Sequence, residues 1–302
     1  MLTSYAVTRY DPTRTTMLRN RFSREMDSRF SALIVAIRKA VVNEDVFGLS
    51  LLTQAKKVPT PGDKAFAYPS IKDQISAFMQ WVDTQIEDGI LGVAVGTQLS
   101  RAAEIAWTNY YVRLAYEQGI RRARQELINK RYQVPKLEDS GGVNGVIAHP
   151  SHNKNIGLLY ERTFVELKGV TDTMHQQINR VLAQAMTEGK NAKQIARLLV
   201  RTIGGPTLEL TDTLGRFIPA KRRAQLIART ELIRAHHLAT IREYRNWGLS
   251  NVKVKAEWET MQDGRVCPEC MSMDGKVFSL DEIEGKIPLH PGCRCFAEPL
   301  AA

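Results

Sequence analysis

Proline decides where a helix can run, because it fixes φ and removes a backbone donor. In this chain the prolines leave four long free blocks, 13–58, 70–134, 151–205 and 220–267. The first carries Met17, Phe22, Met26, Phe30, Leu33, Ile34, Ile37 and Val41, mostly three to five residues apart, the spacing of one helical face. It predicts one long helix over 13–43. The second block predicts two helices joined near Leu91–Thr97, where Gly89, Gly92 and Gly96 cluster, with the later one running from Leu99 to about residue 131. That later helix is basic, with Arg101, Arg113, Arg121, Arg122, Arg124, Lys130 and Arg131 against Glu104, Glu117 and Glu126. A solvated face is the simplest account of it, and contact with nucleic-acid phosphate is the functional alternative. Tyr110, Tyr111 and Tyr116 on the same stretch read as packing residues.

Two more helices follow over 157–188 and 191–203, separated by Gly189, with Asn191 as an N-cap. A last one spans Lys221 to Trp247 and ends at Gly248. Between them, Leu208–Pro219 predicts a short hairpin-like insert. Strand signal is confined to the far end: residues 252–259 alternate, with Val252, Val254, Ala256 and Trp258 on one face and Lys253, Lys255, Glu257 and Glu259 on the other. The turn dipeptides Asp263-Gly264 and Asp274-Gly275 and the return segment Lys276–Phe278 complete a small β unit. The predicted fold class is therefore mainly α (α+β), with long helices in the N-terminal and central regions and a small C-terminal β unit. The predicted organisation is a helical region over 1–138 with a proline-rich arm near 52–70, a linker or flexible loop over 139–155, a helical part over 156–248, and the β unit over 249–302.

Four cysteines occur in the 302 residues, all between Cys267 and Cys295. They form Cys267-Pro-Glu-Cys270 and His290-Pro-Gly-Cys293-Arg-Cys295, two close-spaced groups beside Pro or Gly, which permit tight turns. A tetrahedral zinc site takes four such ligands, usually as two chelating pairs. Five candidates are available: Cys267, Cys270 and His290 lead, Cys293 and Cys295 compete for the fourth place, and a set of four thiolates without the histidine is the alternative. Four protein ligands close a site and make it structural, whereas catalytic zinc keeps a position open for water. Glu269, Asp263 and Glu257 are the nominal bases if the cluster were instead a metal-dependent nuclease. His236-His237, beside Arg229, Glu231 and Arg234 on the last long helix, predicts an interhelical or helix-to-strand polar network, and Glu231 and Arg234, at i and i+3, can pair on the helix surface.

Composition narrows the class further. There are 42 Lys+Arg against 32 Asp+Glu, a formal charge of +10, with 43% hydrophobic residues. Such a chain buries a core and suits a polyanionic neighbour. No apolar run approaches the ~20 residues of a membrane span. No signal peptide is visible at the start, so folding in the cytoplasm is expected. No phosphate-binding loop, nucleophile elbow or H-E-x-x-H pair is present, which leaves ATP-driven packaging and serine hydrolysis unsupported.

The blocks IARTELIRAHHLATIREYRNWG at 227–248, WETMQDGRVCPEC at 258–270, MDGK at 273–276 and PLHPGCRC at 288–295 together resemble the phage head morphogenesis proteins, the Mu F-like minor head or minor capsid proteins of tailed bacteriophages. Residues 158–199 are more weakly similar to the helical section that precedes these blocks in that family. The resemblance implies a virion structural or assembly protein with no assigned catalytic activity, made in the host cytoplasm and located in the head or portal region. The partners it implies are the portal protein and/or major capsid protein, with several copies around a symmetric ring, and packaged double-stranded DNA held by non-specific phosphate contacts. No membrane partner is expected. A free zinc-containing DNA-binding protein, using the basic helix, is the further alternative.

Overall fold

The computed structural model describes residues 11–49, 66, 70–92, 99–204, 219–247 and 255–300. In chain order the elements are α1 (Thr16–Arg38), α2 (Ile71–Ile86), α3 (Leu99–Ile105), α4 (Thr108–Asn129), α5 (Gly142–Ala148), α6 (Pro150–Thr187), α7 (Ala192–Gly204) and α8 (Ala220–Trp247). They continue with β1 (Lys255–Glu259), the one-turn helix α9 (Pro268–Met271), β2 (Val277–Ser279), the one-turn helix α10 (Leu280–Ile283) and β3 (Phe296–Leu300). The chain is thus mainly helical with one small sheet, as its patterning predicts. No helix among the described residues is long and apolar enough to cross a membrane.

Two compact units emerge, and neither is a continuous stretch. One comprises residues 1–22, 108–161 and 227–302; the other comprises 23–107 and 162–226. The second unit is all-helical among its described residues. Its apolar faces bury Met26, Phe30 and Ile37 of α1, Phe78 and Val82 of α2, Leu167, Met174 and Ile178 of α6, and Ile195 and Leu199 of α7. A ring cluster forms beside them, with Phe78 5.1 Å from Phe47, 5.7 Å from Phe66 and 5.4 Å from Trp81. The predicted helix over 13–43 is α1 followed by one π-helical turn, Lys39–Asn43. Asn191 caps α7 reciprocally: its Oδ1 accepts from the Gln194 amide, and the Gln194 side chain accepts from the Asn191 amide, both at 3.0 Å. Gly189, at φ +66°, ends α6, with the Lys190 amide bonding back to the Ala185 carbonyl at 3.0 Å.

The first unit is built around α4 and α8. They touch at Gly119, where a Cβ would lie 2.3 Å from the His236 carbonyl oxygen and 2.8 Å from the Ala239 methyl. Phe22 of α1 stacks on Tyr111 of α4 with centroids 4.5 Å apart. The sheet, ordered β2-β1-β3 and antiparallel throughout, packs on this pair: Ala256, Trp258 and Ala297 share one buried cluster with Ala123, Leu127, Ile233, Ile241 and Tyr244. Ala256 and Trp258 are fully buried, as the alternation predicts, and Lys255 is exposed. Pro299 faces Ala256 on β3, an edge strand, where a missing backbone donor is tolerated.

Several sequence expectations are corrected. Residues 139–155, expected as a linker or flexible loop, instead form a 3-10 turn (Glu138–Ser140), the helix α5 and the first turn of α6, all inside the first unit. Glycine and asparagine richness there reflects turns at Gly141 and Gly142, both at positive φ, while Val143, Val146 and Ile147 bury one face. The helix expected from Leu99 breaks at Ala106-Trp107 into α3 and α4, where the Trp107 indole instead bonds the Ile90 carbonyl at 2.8 Å. The basic helix is also less available than its composition suggests. Arg122 pairs with Glu126 at 2.5 Å and Arg124 with Glu243 at 2.5 Å, both largely buried, and Tyr111 and Tyr116 are core residues. Most of the proline-rich arm, the hairpin-like insert, the junction at 93–97 and residues 252–254 of the predicted strand lie outside the described residues.

Candidate metal centre

Cys267 opens α9 as its N-cap, its sulfur accepting the Cys270 amide at 3.3 Å, with Pro268 in the first helical position. This tight turn carries both thiols of the first pair to one side. The second group is held by the Cys293 amide, which bonds the His290 carbonyl at 3.0 Å across the Pro-Gly dipeptide. Gly292, at φ +78°, makes that turn possible and donates its amide to Thr230 Oγ1 of α8 at 3.0 Å. The loop is therefore anchored to α8, one of the two helices on which its unit is built.

All five candidate ligands converge. His290 Nε2 lies 3.2 Å from Cys267 Sγ and 3.1 Å from Cys270 Sγ, and Cys270 Sγ lies 3.8 Å from Cys293 Sγ. The donor atoms make two overlapping triangles, Cys267-Cys270-His290 and Cys270-Cys293-Cys295, that share Cys270 and whose members lie within 4.8 Å of one another. With Zn–S bonds of about 2.3 Å, two thiolates at tetrahedral corners sit about 3.8 Å apart, which the Cys270–Cys293 pair matches. The two sulfur–nitrogen distances fall a few tenths of an ångström inside the corresponding ~3.6 Å. His290 Nδ1 lies 3.0 Å from the Pro291 carbonyl. A carbonyl only accepts, so Nδ1 carries the hydrogen and the Nε2 lone pair faces the thiols, the arrangement a metal-binding imidazole needs. These residues can hold a metal ion.

The thiols differ in their readiness to ionise, which metal binding requires. Hydrogen bonds from the Cys295 side chain and backbone hold Cys293 down to about 5. Burial, with the charge of Cys293, pushes Cys270 up to about 12, and the hydrogen bond to Cys293, with burial, raises Cys295 well above its ordinary value. The Cys270 amide lowers Cys267. Burial opposes protonation of His290, but the Pro291 carbonyl and the neighbouring thiols outweigh it and raise its pKa.

Of the nominal bases, Asp263 is fully engaged. Its carboxylate accepts a bidentate pair from Arg294 at 2.5 and 2.7 Å and a further bond from Arg265 at 2.8 Å, and these bonds hold its pKa far below the usual carboxylate range. It clamps the residue between Cys293 and Cys295. Glu269 is exposed at the head of α9, and Glu257 sits on β1. His236 and His237 are buried, and among the described residues the one hydrogen bond from their rings runs from His237 Nε2 to the Ile283 carbonyl at 3.1 Å. Glu231 pairs with Arg234 at 3.3 Å, as their spacing predicts.

Sequence reasoning misses a buried ionic centre elsewhere in the same unit. Glu243 is fully buried and binds Arg124 at 2.5 Å, His152 Nε2 at 2.9 Å and the Trp247 indole at 3.0 Å, while the Tyr116 hydroxyl reaches His152 Nδ1 at 3.0 Å. Its one sequence signal is a carboxylate set among the apolar positions Ala239, Ile241 and Tyr244.

Residues 176–298 match the family described as Phage Mu protein F like protein. No curated protein and no solved structure matches the chain.

Proposed function

We propose that this chain, whose residues 176–298 match the Phage Mu F-like family, is a structural minor head protein of a tailed phage, its C-terminal β unit stapled by one zinc ion. The observation that carries the reading is coincidence: all five converging donors lie within the matched stretch. Cys267, Cys270, His290 and Cys293 are the proposed ligands, with Cys295 beside them. A zinc ion held this way supplies cross-linking rather than chemistry, because four protein ligands leave no position for a reactive water. Asp263, committed to two guanidinium groups, is poorly placed to act as a base, which weighs against the nuclease reading. The family supports a role in head morphogenesis; docking on the portal or the major capsid protein around a symmetric ring, contact with packaged DNA, and a place in the virion are the finer parts of the proposal. The net charge of +10 supports the DNA contact.

Elemental analysis of the purified protein, together with Cys267→Ser and Cys293→Ser variants scored for folding and head incorporation, tests it. One zinc per chain, lost in the variants along with stability and incorporation, is the expected result. Metal-free protein that still enters heads would sink the staple.

A further inference from the structure

A group of arginines crowds the same recess. Arg265 and Arg294 line it together with Thr260, Gly292 and the donor residues. Arg229 on α8 sits one residue before Thr230, whose hydroxyl holds the Gly292 amide, and lies within electrostatic reach of Arg19. Arg19 is a fourth arginine, one turn inside α1. It is 7% exposed, its Nη2 donates to Thr16 Oγ1 at 2.8 Å, and its buried Nε has no hydrogen-bond partner among the described residues. Arg19 lies within electrostatic reach of Arg294, Arg229 and Arg265, with Asp11 as the opposing charge.

The carboxylates beside this group are Asp11, facing Arg19, and Asp263. Asp11 is occupied at the head of α1, where it accepts the Thr16 amide at 2.9 Å and the Thr13 hydroxyl at 2.8 Å. Asp263 is shared between Arg294 and Arg265. A buried guanidinium that is not fully paired is costly to retain, and an anion that joins it offsets part of that cost. Arg229 and Arg265 are exposed and can reach outward, and the planar guanidinium fork matches phosphate oxygens bidentately.

We infer that Arg19, Arg229, Arg265 and Arg294 form a phosphate-binding site at the rim of the Cys/His cluster, with Arg229 and Arg265 as the outward contacts and Arg19 as the buried charge behind them. The phosphate is either a free oxyanion or a group on a nucleic-acid backbone. The inference rests on the head-protein reading only in taking duplex DNA as a probe.

The test uses the full chain and a fluorescein-labelled duplex of about 30 base pairs and arbitrary sequence, with anisotropy followed across a salt series and zinc content measured on the same preparation. Arg229→Gln with Arg265→Gln is compared with Arg197→Gln and Arg201→Gln on α7, two arginines elsewhere in the chain. Each phosphate contact carries about 0.9 of the logarithmic salt slope, so the first pair is expected to reduce the slope by about 2 and the second to leave it unchanged. Arg229→Lys with Arg265→Lys keeps the charge and guards against a folding defect; it should retain most of the slope. If the duplex does not bind but inorganic phosphate raises the melting temperature of the unsubstituted chain and not of the glutamine pair, the site is upheld with free phosphate as its ligand. Equal losses in both glutamine pairs, or no loss together with no phosphate-dependent stabilisation, would overturn it. Either outcome with zinc still bound leaves the staple standing.

Discussion

His236 and His237 carry a proton-linked cost. Burial depresses both, His237 to about 4 and His236 well below its ordinary value. An unfolded histidine titrates near 6.5, so the unfolded chain binds protons first, and the stability held by these neutral rings is complete above about pH 6.5 and lost as pH falls toward 4. Denaturant midpoints measured from about pH 7 down to about pH 4.5 should fall more steeply for the natural chain than for a His236→Gln, His237→Gln variant. A second residue-scale prediction concerns Glu243. Removing its partner by Arg124→Met leaves a buried carboxylate with His152 and Trp247 alone and should cost about 3–5 kcal/mol in a denaturant titration. Neither role is visible in the chain read linearly. A carboxylate that faces inward looks like one that faces out until the helix is rotated into place by its neighbours.

At the scale of elements, the crossing of α4 and α8 depends on a missing side chain. Gly119→Ala drives a methyl into the His236 carbonyl, and the helices must separate; a loss of at least about 1–3 kcal/mol is expected by thermal or chemical denaturation. At α7, Asn191→Ala removes one half of the reciprocal cap and should cost about 1 kcal/mol in the same measurement. The cap, the break at Gly189, the strand over Ala256 and Trp258, and the long helices are all legible in the sequence, because each is written in local spacing. What cannot be read there is anything decided by distant packing: the helical state of residues 142–148 and 150–155, the break before α4, and the anchoring of Gly292 by Thr230. The donor cluster lies between these cases. Its members are evident from spacing alone, but its clamp through Asp263 and Arg294 requires the fold.

For the molecule as a whole, the cluster is continuous with a core rather than appended to it. Cys270, Cys293 and Cys295 are buried with Leu127, Ile233 and Tyr244, so metal removal should lower the melting temperature of the entire first unit and not merely loosen its last residues. A chelator titration followed by both tyrosine fluorescence and helical circular dichroism should report one coincident transition. The same unit is threaded from three separated stretches, with residues 23–107 and 162–226 belonging elsewhere. A chain emerging from the ribosome therefore produces α4, which ends at Asn129, more than a hundred residues before its partner α8 is complete at Trp247. The part of α4 that α8 covers must wait through the synthesis of all of α6 and α7. At about 5–20 residues per second that interval lasts on the order of ten seconds. During it the nascent chain offers a chaperone an opportunity, and a concentrated pool of unfinished chains a hazard.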